Sequence, residues 1–132
     1  MKRVTGIGGV FFKAKDPEQM RAWYAKHLGL EFDNYGGVVF GCPSDEAERS
    51  KAQTAWSLFP SDTKYFDPSS APFMINYRVD NLAELLEQLR SEGVTVDEKT
   101  GEYDYGKFGW IMDPEGNRIE LWEPVVEPTE KD

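Results

Sequence analysis

The 132-residue chain repeats one set of helix signals at one spacing. The first segment, Asp16–Gly29, starts with an acidic cap followed by proline, Gln19 completes a capping box, and a glycine ends the segment thirteen residues after the cap. The second segment, Asp80–Gly93, starts with Asp-Asn, either of which can serve as the cap, and it ends in a glycine at the same distance. A short apolar strand candidate precedes each segment. The chain is therefore predicted to contain two copies of a strand–helix unit.

The apolar positions of each predicted helix indicate the side that packs on a sheet. Their spacing of three and four residues is typical of an amphipathic helix. The predicted inward side chains are Met20, Trp23, Tyr24 and Leu28 in the first helix and Leu82, Leu85, Leu86 and Leu89 in the second. The two stripes differ in phase relative to their caps, so the repeat is one of architecture rather than of residues.

Short strand candidates follow each predicted helix. They read LEFDN, GGVVFG and TAWSLFP in the first half and VTVDEK, GWIMDP and NRIELWE in the second. Each half is therefore predicted to be a βαβββ module. One helix covers only one face of such a small sheet, so two modules side by side can curve their sheets around a cleft. The predicted fold class is α+β, with two tandem modules forming a curved mixed sheet and the helices outside.

The length favours a single domain over residues 1–132. Its predicted parts are module 1 at about 5–60, a linker at 61–71, module 2 at about 72–124 and an acidic tail at 125–132. No apolar run approaches the ~20 residues of a membrane-spanning helix. The single cysteine, Cys42, cannot form an internal disulfide, and we interpret it as an inert loop thiol. We expect a cytoplasmic protein with no membrane partner.

The net charge of −9 argues against nucleic acid as a partner, because phosphate binding depends on clustered Lys and Arg. A cationic or zwitterionic small molecule suits the field of such a protein better. The alternative interpretation is that the charge serves solubility alone.

Three stretches of the chain resemble one known family. They are GIGGVFFKAKDPEQMRAWYAKHLGLEF near the amino terminus, INYRVDNLAEL in the middle and DPEGNRIELWEP near the end. Together they are similar to the vicinal oxygen chelate superfamily, which includes glyoxalase I, extradiol dioxygenases, fosfomycin-resistance enzymes and bleomycin-resistance proteins. The similarity covers most of the chain, from Gly6 to Pro124. It implies paired βαβββ modules, a ligand cleft inside a curved sheet and a homodimer.

In metal-dependent members of this superfamily, inward residues on the first and last strands of each module bind a divalent ion, usually through His and Glu. The resemblance carries these positions to Gly9, Trp56, Met74 and Glu120, of which only Glu120 is a metal-ligating type. The single histidine, His27, lies near the end of a predicted helix, where it packs or interacts with the helix dipole. A two-histidine, one-carboxylate site cannot be built from one such chain. We predict no cofactor, and a divalent metal is the disfavoured alternative.

Alternation along the strands predicts which side chains face the cleft. The predicted ligand-binding side chains are Phe11, Lys13, Trp56, Leu58, Met74, Asn76, Arg78, Trp110, Met112, Arg118 and Trp122. Such a lining offers apolar area for affinity and a few polar groups for orientation, although the same aromatics can also fill the cleft as core. Glu120 faces the same cleft and needs a partner if it is buried, for which Arg78, Arg118 and Lys13 are the candidates.

Three functions follow from these observations. The leading one is a glyoxalase/bleomycin-resistance-like protein with a degenerate metal site, which binds a small aromatic or cationic molecule without metal. The second is a lyase, isomerase or dioxygenase-type enzyme of the same superfamily, with Glu120 as catalytic base or metal ligand and Arg78 or Lys13 stabilising the developing charge. The third is a structural or regulatory dimer whose cleft is closed.

Overall fold

The computed structural model describes residues 3–41 and 53–125. The cysteine at position 42, most of the polar connection that follows it and the predicted acidic tail beyond Val125 lie outside these ranges.

Within the described ranges the chain forms seven strands and two helices. In chain order they are β1 (Val4–Ala14), α1 (Pro17–Leu28), β2 (Gly37–Phe40), β3 (Thr54–Pro60), β4 (Phe73–Val79), α2 (Leu82–Ser91), β5 (Val96–Tyr103), β6 (Gly106–Met112) and β7 (Arg118–Pro124). Neither of these two helices is long and apolar enough to cross a membrane.

The strands form one mixed sheet in the order β2-β3-β1-β4-β7-β6-β5. The first strands of the two modules, β1 and β4, pair antiparallel at its centre. Each of them also pairs in parallel with the last strand of its own module, β1 with β3 and β4 with β7. The helices pack outside, α1 against β1 and β3, and α2 against β5, β6 and β7. The predicted α+β class, with tandem modules and outer helices, is confirmed.

One predicted strand is wrong. LEFDN, residues 30–34, leads into a turn and does not join the sheet. Asp33 Oδ1 accepts the N–H groups of Tyr35 (2.9 Å) and Gly37 (3.1 Å), and Gly36 adopts a φ of +82°. A side-chain-capped turn of this kind competes with strand pairing because it satisfies the same backbone donors locally. Among the described residues, the first module is therefore βαββ, whereas the second is βαβββ as predicted.

The helix α2 packs as its sequence predicts. Asn81 is the cap, since its side-chain oxygen accepts the N–H of Glu84 (3.1 Å). The buried side chains that pack together around α2 are Val79, Leu82, Leu85, Leu86 and Leu121. Leu89 is partly buried against this cluster. The four leucines predicted to face inward are thus confirmed.

The helix α1 begins and ends as predicted, but it packs differently. Asp16 caps it by accepting the N–H of Gln19 (3.1 Å), and Gly29 ends it with a φ of +71°. No side chain of α1 is buried. The predicted inward positions Trp23 and Leu28 are wrong, because these side chains are 51% and 62% exposed.

The reason lies in the rings beneath α1. Tyr24 meets Trp56 of β3 edge-on, with ring centroids 4.9 Å apart. Met20 and Tyr24 are partly buried. Only this part of the apolar stripe of α1 therefore packs against the sheet.

A tight turn fixes the start of β7. Asp113 accepts the N–H groups of Glu115 and Asn117 (both 2.9 Å) and the Asn117 amide (2.9 Å). These bonds, chiefly those from Asn117, hold the pKa of the Asp113 carboxyl below its usual value. The turn sets the antiparallel register in which Glu120 of β7 lies opposite Trp110 of β6.

We expect Leu86→Ala to lower the free energy of unfolding by about 2–5 kcal/mol, because it removes a buried side chain from a packed cluster. The matched control Glu87→Ala, on the exposed side of α2, is expected to change it by less than about 0.5 kcal/mol. Urea denaturation of both variants measures the two effects. Equal losses would contradict the packing of Leu86 in the cluster around α2.

Candidate functional site

A cavity of about 420 Å³ opens on the face of the sheet that does not carry α2. Its lining residues are Gly8, Phe11, Ala55, Phe59, Tyr65, Asn76, Tyr103, Tyr105, Phe108, Glu120 and Trp122. Strands of both modules contribute to it, and so does the segment 61–71 between β3 and β4. Its size falls in the range of small-molecule sites.

Stacked aromatic rings form one wall of the cavity. Phe108 and Trp122 lie parallel on neighbouring strands, with centroids 6.0 Å apart and planes 6° apart. Tyr103 and Tyr105, at the hairpin between β5 and β6, stack on each other at 5.5 Å and are exposed. The wall therefore presents flat apolar surface from the interior of the cavity to its mouth.

Glu120, the one carboxylate that the described residues contribute to the lining, is buried, with 2% of its surface exposed. Three neutral groups donate hydrogen bonds to it. Asn76 Nδ2 donates to Oε1 (2.6 Å), Trp110 Nε1 donates to Oε2 (2.9 Å), and the Tyr65 hydroxyl also donates to Oε2. These bonds offset the desolvation of a carboxylate that no cation contacts among the described residues.

The strand register brings two of these donors to Glu120. Asn76 of β4 is its neighbour in the parallel pair β4–β7, and Trp110 of β6 is its neighbour in the antiparallel pair β6–β7. Directly paired residues share a face of the sheet, so all three side chains point the same way. Tyr65 arrives from the segment between β3 and β4, where the next residue, Phe66, is fully buried beside Met74.

The Tyr65 hydroxyl has a raised pKa. Burial is the main cause, and the negative charge of Glu120 adds to it, because both disfavour the phenolate. The pKa therefore lies above the ordinary value of 10.0. The Tyr65 phenol therefore stays protonated at physiological pH and donates its O–H to the Glu120 carboxylate.

The glycines of the GIGG stretch make room for the site. A Cβ on Gly8 would lie 2.9 Å from Trp122 Cε3 and would also collide with Asn76 Oδ1. A Cβ on Gly6 would collide with the guanidinium of Arg78. Side chains of β4 and β7 thus lie across β1, and only glycine leaves the space they need.

Part of the predicted site is where the sequence places it. The predicted residues that line the cavity are Phe11, Asn76, Glu120 and Trp122. Trp110 belongs to the site through its N–H bond to the carboxylate. Met74 is fully buried beneath it against Phe66, and Met112 is partly buried at the end of β6 and does not contact the cavity.

Trp56 and Leu58 lie on the wrong face for the predicted role. The Trp56 ring packs against Tyr24 of α1 (4.9 Å) and Phe12 (5.3 Å), on the helix side of the sheet. Leu58 shares that face by strand alternation. The stretch TAWSLFP has apolar residues on both faces, so alternation alone could not decide which face is inward.

The register also corrects the predicted metal-ligand position in β3. Phe11 pairs with Ser57 in the same way that Asn76 pairs with Glu120. Ser57 is therefore the first-module counterpart of Glu120, and the carry-over to Trp56 is wrong by one residue.

The predicted charge partners of the carboxylate are wrong. Arg78 donates to two main-chain carbonyls, those of residues 7 and 53. Arg118 bonds to Asp97 (3.2 Å), and Lys13 lies over the ring of Phe66 (5.5 Å). Arg118 lies two residues from Glu120 on β7, and Arg78 lies two residues from its pairing partner Asn76 on β4. This offset is about 7 Å along a strand, so each arginine bonds to a nearer acceptor.

Several lining residues were not predicted. Phe108 lies two residues before Trp110 and could have been found by extending the alternation of β6. Phe59 would have been predicted if the opposite face of β3 had been assigned to the cavity. Tyr65 lies in a segment interpreted only as a linker, and Tyr103 and Tyr105 lie at a hairpin. No local pattern marks those three tyrosines as cavity residues.

The site does not fit a divalent cation. Within the described ranges, no group of three or more His, Cys, Asp or Glu side chains could share a metal ion. Gly9 has no side-chain donor, and the oxygens of Glu120 face hydrogen-bond donors, which a cation would have to displace. The single histidine lies on the outer helix α1, with its ring 5.0 Å from that of Trp23.

The family model of the Glyoxalase/Bleomycin resistance protein/Dioxygenase superfamily matches residues 6–121 of the chain. No match was found among curated proteins.

Solved structures share the fold. Methylmalonyl-CoA epimerase from Mycobacterium tuberculosis is 24% identical, with a TM-score of 0.62 and coverage of 95% of this chain and 91% of its own. A Streptomyces coelicolor methylmalonyl-CoA epimerase variant in complex with 2-nitronate-propionyl-CoA is 15% identical, with a TM-score of 0.67 and coverage of 95% and 99%. A glyoxalase/bleomycin resistance protein/dioxygenase superfamily member from Vibrio splendidus 12B01 is 10% identical, with a TM-score of 0.57 and coverage of 89% and 97%. At these identities the similarity establishes the fold alone.

The raised pKa of Tyr65 predicts a loss of stability in alkali. The folded state holds this proton more tightly than the unfolded state, so its contribution is complete below pH 10.0 and declines as the pH rises above that value. Urea denaturation between about pH 8 and about pH 11 should show a steeper decline in the wild type than in Tyr65→Phe, which lacks the proton. Parallel curves for the two proteins would contradict the raised pKa.

Proposed function

The chain belongs to the Glyoxalase/Bleomycin resistance protein/Dioxygenase superfamily, and from this membership we propose that it binds a small aromatic or cationic molecule in its cavity without a metal. The observation that carries the proposal is a buried carboxylate, Glu120, held by neutral donors at an aromatic wall.

The aromatic wall supports binding of a planar group. Phe108 and Trp122 present parallel faces, and the exposed pair Tyr103 and Tyr105 extends this surface to the mouth. Aromatic faces carry a partial negative charge, so they attract both ring edges and cations. A ligand with an aromatic body and a positive group fits both properties.

The charge of the site supports a cation in particular. Glu120 lines the cavity and has no cationic side chain in contact among the described residues. The net charge of −9 adds a long-range field of the same sign. A positive ligand group therefore gains from both the local and the overall charge.

The alternative with Glu120 as a general base has less support. Both carboxylate oxygens already accept hydrogen bonds, and one lone pair, on Oε1 beside the buried Asn76, is left without a donor among the described residues. The cations expected to stabilise the developing charge lie elsewhere, Arg78 on main-chain carbonyls and Lys13 over the ring of Phe66. These contacts support binding over catalysis.

We also propose that the protein is a homodimer, with the first module at the interface. Trp23 and Leu28 of α1 and Val39 and Phe40 of β2 are large apolar side chains left exposed on this module. A second copy of the chain would cover them.

Glu120→Gln is expected to weaken binding of 2-phenylethylammonium at least about tenfold, because it removes the charge and retains the size. Binding of the neutral analogue 2-phenylethanol should change less. Isothermal titration calorimetry measures both affinities, and thermal unfolding checks that the variant is folded. The matched control is Glu87→Gln, which makes the same charge change on the exposed side of α2. If the variant at position 120 bound both compounds like the wild type, the carboxylate would have no part in recognition.

The dimer is tested by size-exclusion chromatography with light scattering. The wild type is expected at twice the mass of the chain, and the double variant Trp23→Ser, Leu28→Ser at the mass of one chain. Val125→Ser, an exposed apolar position directly after β7, serves as the control and should stay dimeric. A monomeric wild type would contradict the proposal.

A further inference from the structure

The three donors to Glu120 differ in their freedom to move. Asn76 and Trp110 are buried, with 2% and 8% of their surfaces exposed, and both lie on strands paired with β7. Tyr65 is 39% exposed and lies outside the helices and strands. It is therefore the donor that can leave the carboxylate without breaking the sheet.

The backbone around Tyr65 is anchored independently of its hydroxyl. The neighbouring Phe66 is fully buried among Met74, Phe108 and Trp110. Rotation of the Tyr65 side chain alone can move the hydroxyl while Phe66 keeps the segment in place. The ring contacts that this rotation gives up are the stack on Phe59, with centroids 5.5 Å apart, and the looser contacts with Trp110 (6.3 Å) and Phe66 (6.4 Å).

The Tyr65 hydroxyl occupies the last free acceptor site of Oε2. A carboxylate oxygen has two lone pairs, and the indole of Trp110 takes one of them. Tyr65 takes the other, and both Tyr65 and Glu120 line the cavity. A ligand donor that reaches Oε2 must therefore replace this hydroxyl. The lone pair that stays open among the described contacts is on Oε1, beside Asn76, which is 2% exposed, whereas Tyr65 is 39% exposed.

The chemistry of the replacement restricts the ligand. A hydrocarbon that displaced the Tyr65 hydroxyl would leave Oε2 without that hydrogen bond. A neutral hydroxyl on the ligand would form a bond of about the same strength as the one it replaces. An ammonium N–H forms a charge-assisted bond, roughly twice as strong as a neutral one. A quaternary ammonium has the charge but no donor.

We infer that the Tyr65 hydroxyl occupies the acceptor site on Glu120 Oε2 to which a ligand N–H binds. The cavity therefore selects protonated primary or secondary amines, which displace this hydroxyl. This inference rests on the proposed binding function and adds the ligand class and the residue that sets it. It makes Tyr65 a competitor of the ligand rather than a contact for it.

The test compares two probes, 2-phenylethylammonium and its N,N,N-trimethylated analogue, on the wild type and on Tyr65→Phe. This substitution keeps the ring that stacks on Phe59 and removes only the competing donor. Calorimetry is expected to show about tenfold preference of the wild type for the ammonium, and about tenfold tighter binding of the ammonium by the variant. The matched control Tyr35→Phe, at an exposed turn, should bind both probes like the wild type.

The sign of the change decides the outcome. Tighter binding by Tyr65→Phe, or binding by this variant alone, supports the inference. Weaker or equal binding by the variant, with a wild type that binds, overturns it and leaves the proposed function standing. Equal affinity of the wild type for the two probes overturns the selection of N–H donors. Failure of both probes on both proteins refutes the proposed function, and the inference with it.

Discussion

The rest of the site depends on the hydrogen bonding of one buried carboxylate. Glu120 can remain in the sheet only because donors from neighbouring strands and from the segment 61–71 point at its oxygens. A buried carboxylate without such partners would cost several kcal/mol or more. The register of β4, β6 and β7 and the position of Tyr65 therefore satisfy one requirement together, and a shift of one strand by one residue would leave the group unpaired.

The two modules share an architecture but divide the work between them. The second module holds the packed core around α2 and supplies Asn76, Trp110 and Glu120. The first module supplies glycines that let Asn76, Trp122 and Arg78 lie across β1, while its own helix stays largely exposed. Such a division explains why the repeat is visible in the helix caps and absent from the residues of the site.

Neutral donors and aromatic walls give the cavity its particular chemistry. The donors around Glu120 carry no positive charge, and the nearby Arg118 pairs with Asp97, so a ligand can supply the positive partner of the carboxylate. The wall of Phe108 and Trp122 offers a flat surface beside it. Of the three donors, only Tyr65 can be replaced without disturbing the sheet, which couples ligand binding to one side chain.

The sequence by itself determined the ends of both helices, the inward leucines of α2, the strands of the second module and the superfamily. These features depend on caps, turns and periodicity within a few residues. It also placed Phe11, Asn76, Glu120 and Trp122 on one face. Only the tertiary structure decided the partners of Glu120, the outward face of Trp56 and the role of Tyr65. The reason is physical: the nearest donor to a buried group is set by which strands pair and in which register, and these contacts join residues 10 to 55 positions apart that no local pattern connects.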